Sequence, residues 1–211
     1  MALAHPQVVL CDKLVDLGAT VIFGETTEFI GGEHLLARRG VNKEVGDKIF
    51  EIVNNMETRA KSLGCDMRKG QPTPGNIEGG LSSIEEKSLG AIMKSGTKPI
   101  QGVLEYTERV TNQKGLWIKD TPGREPEILT GMAATGAQCM MFSTGRGAPQ
   151  GFPSMPVIKI CGNPNTYTRM EQDMDINAGL ILTGDKTIEQ VGEEAFARLL
   201  DTLSGKMTKN E

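Results

Sequence analysis

Three carboxylates and a histidine fall within ten residues of this chain: Glu25, Glu28, Glu33 and His34. Carboxylate oxygens and an imidazole nitrogen suit a divalent cation such as Fe²⁺, Mn²⁺ or Mg²⁺. The same groups can move protons to and from a carbon acid. Their spacing matches no standard metal motif, and acids ahead of a short helix also serve as caps. A second group, Ser143-Thr144-Gly145-Arg146-Gly147, joins two hydroxyls and an arginine to two glycines. Its N–H groups and guanidinium suit a carboxylate or phosphate. The plainer alternative is a Gly-rich turn with a solvated arginine. The stretch carries neither GxGxxG nor GxxxxGK[ST], which argues against a dinucleotide or P-loop nucleotide. A third group, PTPGNIEGG (72–80), ends at a predicted helix start. It offers the Asn76 amide, and Gly79 and Gly80 permit close backbone approach. Asp120 in DTPG is a turn residue first. Asp173, Asp175 and Asn177 form an oxygen-ligand run that no EF-hand loop follows. His5 reads as an exposed residue at a helix start.

These residues need elements to position them. Apolar residues at helical spacing predict helices over 6–17, 31–39, 45–63, 82–94, 127–135, 166–174 and 187–203. Ser82 followed by Glu85 reads as a capping box. Short apolar runs predict strands over 19–23, 99–104, 115–119, 138–142 and 156–160, and 69–80 reads as a loop. Alternation of this kind predicts a single α/β domain with a mostly parallel sheet and helices on both faces, a Rossmann-like layering. Ligands of such sheets bind outside the carboxyl ends of the strands. Residues 24–34, 120–123 and 143–147 each follow a predicted strand, so they should share one edge.

Composition narrows the function. The chain has 211 residues, with 23 Lys plus Arg against 27 Asp plus Glu, a net charge of -4. That balance argues against a nucleic-acid or anionic-membrane surface. Aromatics are only 4% of residues, thin for stacking on bases. The four cysteines form no CxxC pair and read as reduced residues of a cytoplasmic protein. No apolar run approaches the 18 or so residues of a membrane span.

Six stretches in order carry a resemblance: ETTEFIGGEHLLARRG (25–40), PTPGNIEGGLSSIEEKSLG (72–90), KPIQGVLEY (98–106), DTPG (120–123), STGRG (143–147) and DMDINAG (173–179). Together they resemble the C-terminal region of the altronate and galactarate dehydratase family, which also includes the large subunit of (2R)-sulfolactate sulfo-lyase. The resemblance covers nearly the whole chain. It implies a lyase acting on a small anionic sugar acid. A base removes the proton α to the carboxylate, the β substituent leaves as water or sulfite, and the enol becomes a 2-keto acid. It also implies a divalent metal, with iron the first expectation.

On residue type and position, His34 and Glu33 are the expected proton carriers and Glu25 and Glu28 the expected metal ligands. Ser143, Thr144, Gly145, Arg146 and Asn76 are the expected substrate clamp. The resemblance departs at one point: family members carry further domains ahead of this region, here expected as a missing N-terminal domain or small subunit. The 211 residues are therefore expected to fold as one C-terminal domain and to show little dehydratase activity alone. A homo-oligomer is a further expectation. A sulfo-lyase fragment and a non-catalytic substrate- or metal-binding module are the rival readings.

Overall fold

Pro6, with φ -61°, leads into α1 (Gln7–Asp16), and Gly18, at φ +81°, turns the chain into β1 (Thr20–Phe23). The structure is a computed structural model and describes residues 5–78, 80–110 and 113–210. A 3₁₀ turn (Thr26–Glu28) and α2 (Glu33–Ala37) follow β1. Next comes α3 (Lys43–Ser62), two residues earlier than its apolar stripe predicts, because Asn42 Oδ1 accepts from the Val45 N–H at 2.9 Å. Two short helices, α4 (Met67–Gly70) and α5 (Pro74–Glu78), occupy most of the predicted loop. They are too short for the periodicity of a longer helix to reveal them. Helix α6 (Ile84–Met93) is capped one residue later than expected: Ser83 Oγ accepts from the Glu86 N–H at 3.2 Å. The Glu86 carboxylate reaches back to the Ser82 N–H and hydroxyl at 2.8 and 2.7 Å.

Strands β2 (Ile100–Leu104) and β3 (Gly115–Lys119) lead to α7 (Glu125–Thr135). Then come β4 (Met140–Thr144), β5 (Val157–Cys161), α8 (Pro164–Arg169), β6 (Ile176–Asn177), α9 (Leu180–Thr183) and α10 (Ile188–Leu203). Thr187 and Gln190 close α10 with a capping box.

Every ladder is parallel, as predicted, but the strands form two sheets rather than one. Their orders are β1-β3-β2 and β4-β5-β6. Strands β1 and β4 are facing edges, and a cleft separates them. The two sheets still belong to one domain because side chains on alternate sides of each strand enter different cores. Val21 and Phe23 of β1 join a core with α1, α3 and α6, through Cys11, Ile49, Ile52, Ile84 and Ile92. Ile22, between them, packs with Ile128, Leu129 and Met132 of α7 and with Met140 and Phe142 of β4. Met141 of β4 turns to a third core with Ile158, Ile160 and the α10 residues Val191, Ala195 and Leu199. Helix α1 also bridges the halves: Cys11 enters the first core and Leu10 the third.

One charged pair lies inside the second sheet. Lys159 of β5 is fully buried, and its Nζ lies 3.2 Å from Asp175 Oδ2. Asp175 also accepts from the Lys159 and Lys209 N–H groups, at 2.9 and 3.0 Å, and from Arg198 at 2.8 Å. Burial alone would raise this carboxyl, but the two N–H donors and the guanidinium outweigh it and hold it below its ordinary value. A depressed carboxyl stabilises the fold at neutral pH, and that stability is lost as pH falls through its folded pKa. Asp175→Ala is expected to cost about 3–5 kcal/mol at pH 7, measured by urea unfolding, because it strands the Lys159 charge. The gap from wild type should narrow below about pH 4.

Candidate functional site

The carboxyl ends of β1 and β3 are held together by threonine hydroxyls. The Thr26 hydroxyl donates to Asp120 Oδ1 at 2.6 Å and accepts from the Thr121 N–H at 3.2 Å. The Thr26 N–H donates to the Thr121 carbonyl at 3.0 Å, and the Glu25 N–H donates to Thr121 Oγ1 at 2.7 Å. These bonds hold Glu25 at φ 71° and ψ 65°, a left-handed conformation that costs a residue other than glycine about 1–2 kcal/mol. Gly24 is required just before it. A Cβ there would lie 2.6 Å from Met132 Cε and 2.8 Å from Thr121 Oγ1.

Glu25 is the perturbed acid of this loop. Burial raises its carboxyl to about 7; Lys94 opposes the rise and Glu28 adds to it. Glu28 is paired with Lys87 at 3.0 Å. Glu33 belongs to a different cluster: Oε1 is 3.4 Å from Arg68, which binds Glu57 at 2.8 and 3.0 Å, and Oε2 is buried without a hydrogen-bond partner. His34 is exposed on α2 and makes no hydrogen bond or ion pair among the described residues. Asp120 is raised by burial, against the opposing Thr26 hydroxyl.

The other expected residues lie beside this loop. Lys94, the C-cap of α6, places its Nζ 3.5 Å from the Ser143 carbonyl, and Glu25, Lys94 and Ser143 line the same cleft. The ends of β1 and β4 therefore share one edge. Thr144 Oγ1 is buried without a partner, whereas Gly145 and Arg146 are exposed. The Arg146 guanidinium lies over Gly75, where a Cβ would approach Nη1 to 2.8 Å. Asn76, next to it, accepts from the Thr73 N–H and hydroxyl at 3.3 and 3.0 Å. Residues 143–147 and 72–78 thus meet. Gly80 is at φ +95°, and Gly79 lies outside the described residues.

The cleft between β1 and β4 has a volume of 490 Å³, within the range of small-molecule sites. Its walls are mostly apolar, with Gln7, Glu25, Lys94 and Ser143 among the polar residues that line it. Among the described residues no three His, Cys, Asp or Glu side chains converge on a metal position. Glu25 and Glu28 supply two carboxylates, and Lys87 already neutralises one of them. Six-coordinate Fe²⁺, Mn²⁺ or Mg²⁺ would need most of its ligands from elsewhere, so these residues do not form a metal site by themselves.

Sequence reasoning missed several buried polar residues. His5 is only 8% exposed rather than open to solvent; burial lowers it to about 4, and Lys94 adds to the drop. Lys119 closes an apolar strand and is fully buried. Its Nζ donates to the Glu105 and Glu108 carbonyls at 2.9 and 3.3 Å, and burial lowers it to about 8. A lysine ending an apolar strand beside Asp120 was a usable signal. Lys94 gave none, since a cation at a helix C-terminus is ordinary. No helix is long and apolar enough to cross a membrane among the described residues.

A sequence profile for D-galactarate/Altronate dehydratase, C-terminal, matches residues 4–211. The chain is 40% identical over 204 residues to the (2R)-sulfolactate sulfo-lyase subunit beta of Chromohalobacter salexigens, covering 95% of this chain and 52% of that protein. It is 42% identical over 204 residues to galactarate dehydratase (L-threo-forming) of Escherichia coli, covering 96% and 39% respectively. With altronate dehydratase of Bacillus subtilis the identity is 34% over 200 residues, covering 95% and 40%. The chain thus spans about half the length, or less, of the relatives it matches.

Because its folded pKa is raised, Glu25 holds its proton more tightly in the folded than in the unfolded chain. Stability is therefore lost as pH rises from about 4.5 towards about 7. Glu25→Gln removes that cost. In thermal unfolding the variant should match wild type near pH 4.5 and exceed it at pH 8, by roughly 3 kcal/mol at most. Equal curves at both pH values would show an ordinary carboxyl.

Proposed function

Because the chain belongs to the D-galactarate/altronate dehydratase C-terminal family, we propose that it forms part of a lyase that eliminates water from a small polyhydroxy acid. The product is a 2-keto-3-deoxy acid. The observation that carries this reading is the meeting of Glu25, Lys94 and Ser143 in the lining of the β1/β4 cleft, with Arg146, further along the chain from Ser143, set over Gly75.

The chain's own residues divide the work. Arg146, with the Ser143 and Thr144 hydroxyls and the Asn76 amide, holds one anionic end of the acid. Glu25 is the favoured proton carrier, in place of His34 or Glu33: it lies half-buried in the cleft and its carboxyl sits near neutral pH. As carboxylate it takes the proton α to the substrate carboxylate. The electron pair forms the enediolate, which collapses to the enol as the β hydroxyl leaves as water with the proton that Glu25 has taken up. The enol then tautomerises to the keto acid. A divalent cation enters only as a group shared with parts of a longer protein, and no step is assigned to it. The likeness to a sulfo-lyase subunit favours one second reading, in which the substrate is sulfolactate and sulfite leaves. No disulfide joins the cysteines among the described residues, which accords with a reducing, cytoplasmic setting.

The test is a keto-acid assay with altronate, galactarate and sulfolactate, on the 211-residue chain and on a family-length protein that carries it. Turnover is expected from the longer protein and little from the chain alone, since losing part of a catalytic unit removes most of the rate. No elimination of any of the three acids by the longer protein would end the lyase reading. In that protein Arg146→Ala is expected to raise KM, by about 2–3 kcal/mol of lost binding, and lysine should restore only part. An unchanged KM removes Arg146 from the site.

A further inference from the structure

The mouth of the cleft holds polar groups that the proposed chemistry leaves unused. Gln7, the first residue of α1, is 8% exposed and lines the cleft. Both its Oε1 and its Nε2 are buried without a hydrogen-bond partner. A buried amide left unpaired costs as much as a lost hydrogen bond at each end, so such groups are normally satisfied. Lys94 lines the same cleft. Its Nζ makes one long polar contact, 3.5 Å to the Ser143 carbonyl, and no ion pair among the described residues. Helix α1 starts here as well. Among the described residues no side chain caps its N-terminus, and no acidic residue in its first turn offsets the positive end of its dipole.

An amide that must both donate and accept, an ammonium that forms no ion pair among the described residues and a helix N-terminus without a side-chain cap among them call for one kind of partner. It must be anionic at one end and carry a hydroxyl beside the charge. We propose that Lys94 and Gln7 form a binding subsite for a 2-hydroxycarboxylate at the mouth of the β1/β4 cleft. The carboxylate pairs with Lys94 and the α1 N-terminus. The neighbouring hydroxyl donates to Gln7 Oε1, and Gln7 Nε2 donates to a carboxylate oxygen. This rests on the lyase reading for the class of acid. It adds that the reacting carboxylate is held by Lys94 and Gln7, while Arg146, over Gly75, holds the far end. An acid with two anionic ends then engages both cations, and one with a single carboxylate engages only one.

The test is direct binding to the 211-residue chain, with galactarate and altronate as probes, read by calorimetry and by the Gln7 side-chain amide resonances in ¹⁵N NMR. Lys94→Met should weaken galactarate binding about 10- to 100-fold. Gln7→Leu should weaken it several-fold and at the same time raise Tm of the free chain, because it replaces an unsatisfied buried amide with an apolar group of similar size. Weaker binding with higher stability is a combination that a purely structural Gln7 cannot give. Galactarate should shift the Gln7 amide and bind more tightly than altronate. The subsite is overturned if galactarate fails to shift the Gln7 amide, if Lys94→Met binds as wild type does, or if Gln7→Leu lowers Tm with binding unchanged. Turnover in the family-length protein with an unmoved Gln7 amide would sink the subsite alone. A shifted amide with no elimination of any acid would leave the subsite and sink the lyase reading.

Discussion

Two threonine hydroxyls, those of Thr26 and Thr121, hold the site in place. They satisfy the N–H groups that the chain exposes as it leaves β1 and β3, and through Asp120 they tie the two strand ends together. Parallel strands deliver their carboxyl ends to one edge but do not say how the loops beyond them should run. Here the hydroxyls decide. They hold Glu25 in a backbone conformation that its side chain disfavours, and the strain persists because four hydrogen bonds and the close fit of Gly24 over-determine the turn.

The chain treats its buried charges in three ways. Lys159 is matched by a carboxylate that three further donors hold ionised, so the pair behaves as a fixed structural unit. Lys119 forms no ion pair among the described residues and is satisfied by two loop carbonyls, with its pKa lowered by burial against the opposing charges of Glu108, Asp120 and Glu105. That arrangement fastens the 105–108 segment over the end of β3. Glu25 forms no ion pair among the described residues; Lys94 only partly opposes its burial, and its carboxyl moves up to about 7. A group whose proton is poised near working pH is what acid–base chemistry requires, whereas a fully matched pair serves stability.

The gap between β1 and β4 gives the domain its cleft. Continuous pairing of these edges would leave no space at the strand ends; two separate sheets joined through α1 and a shared apolar core leave 490 Å³. Met140, Phe142 and Ile22 pack in one apolar cluster that keeps the halves together, and they line the cleft with the polar groups.

Much of this was legible in the residues. Apolar runs marked five of the six strands and helical stripes marked the long helices; the 24–34 and 120–123 loops do follow strand ends, whereas Ser143 and Thr144, expected just beyond a strand, are the last two residues of β4. Family membership was carried by co-linear motifs that no single fold element requires. What the residues could not show was which polar groups meet across long separations. Glu25, Lys94 and Ser143 are far apart in sequence, and only the packing of α6 against both strand ends brings them to one mouth. Glu33 stands next to His34 in the chain, yet the turn of α2 gives it to Arg68 and Glu57, whereas His34 stays in solvent. His5 looks like a surface residue at a helix start and Gln7 carries no signal in the sequence, yet both are buried. Local sequence sets periodicity and turn chemistry, so it determined the elements and their order. Burial and electrostatic environment are sums over the whole fold, so only the tertiary structure decided which of the candidate side chains stand in the site.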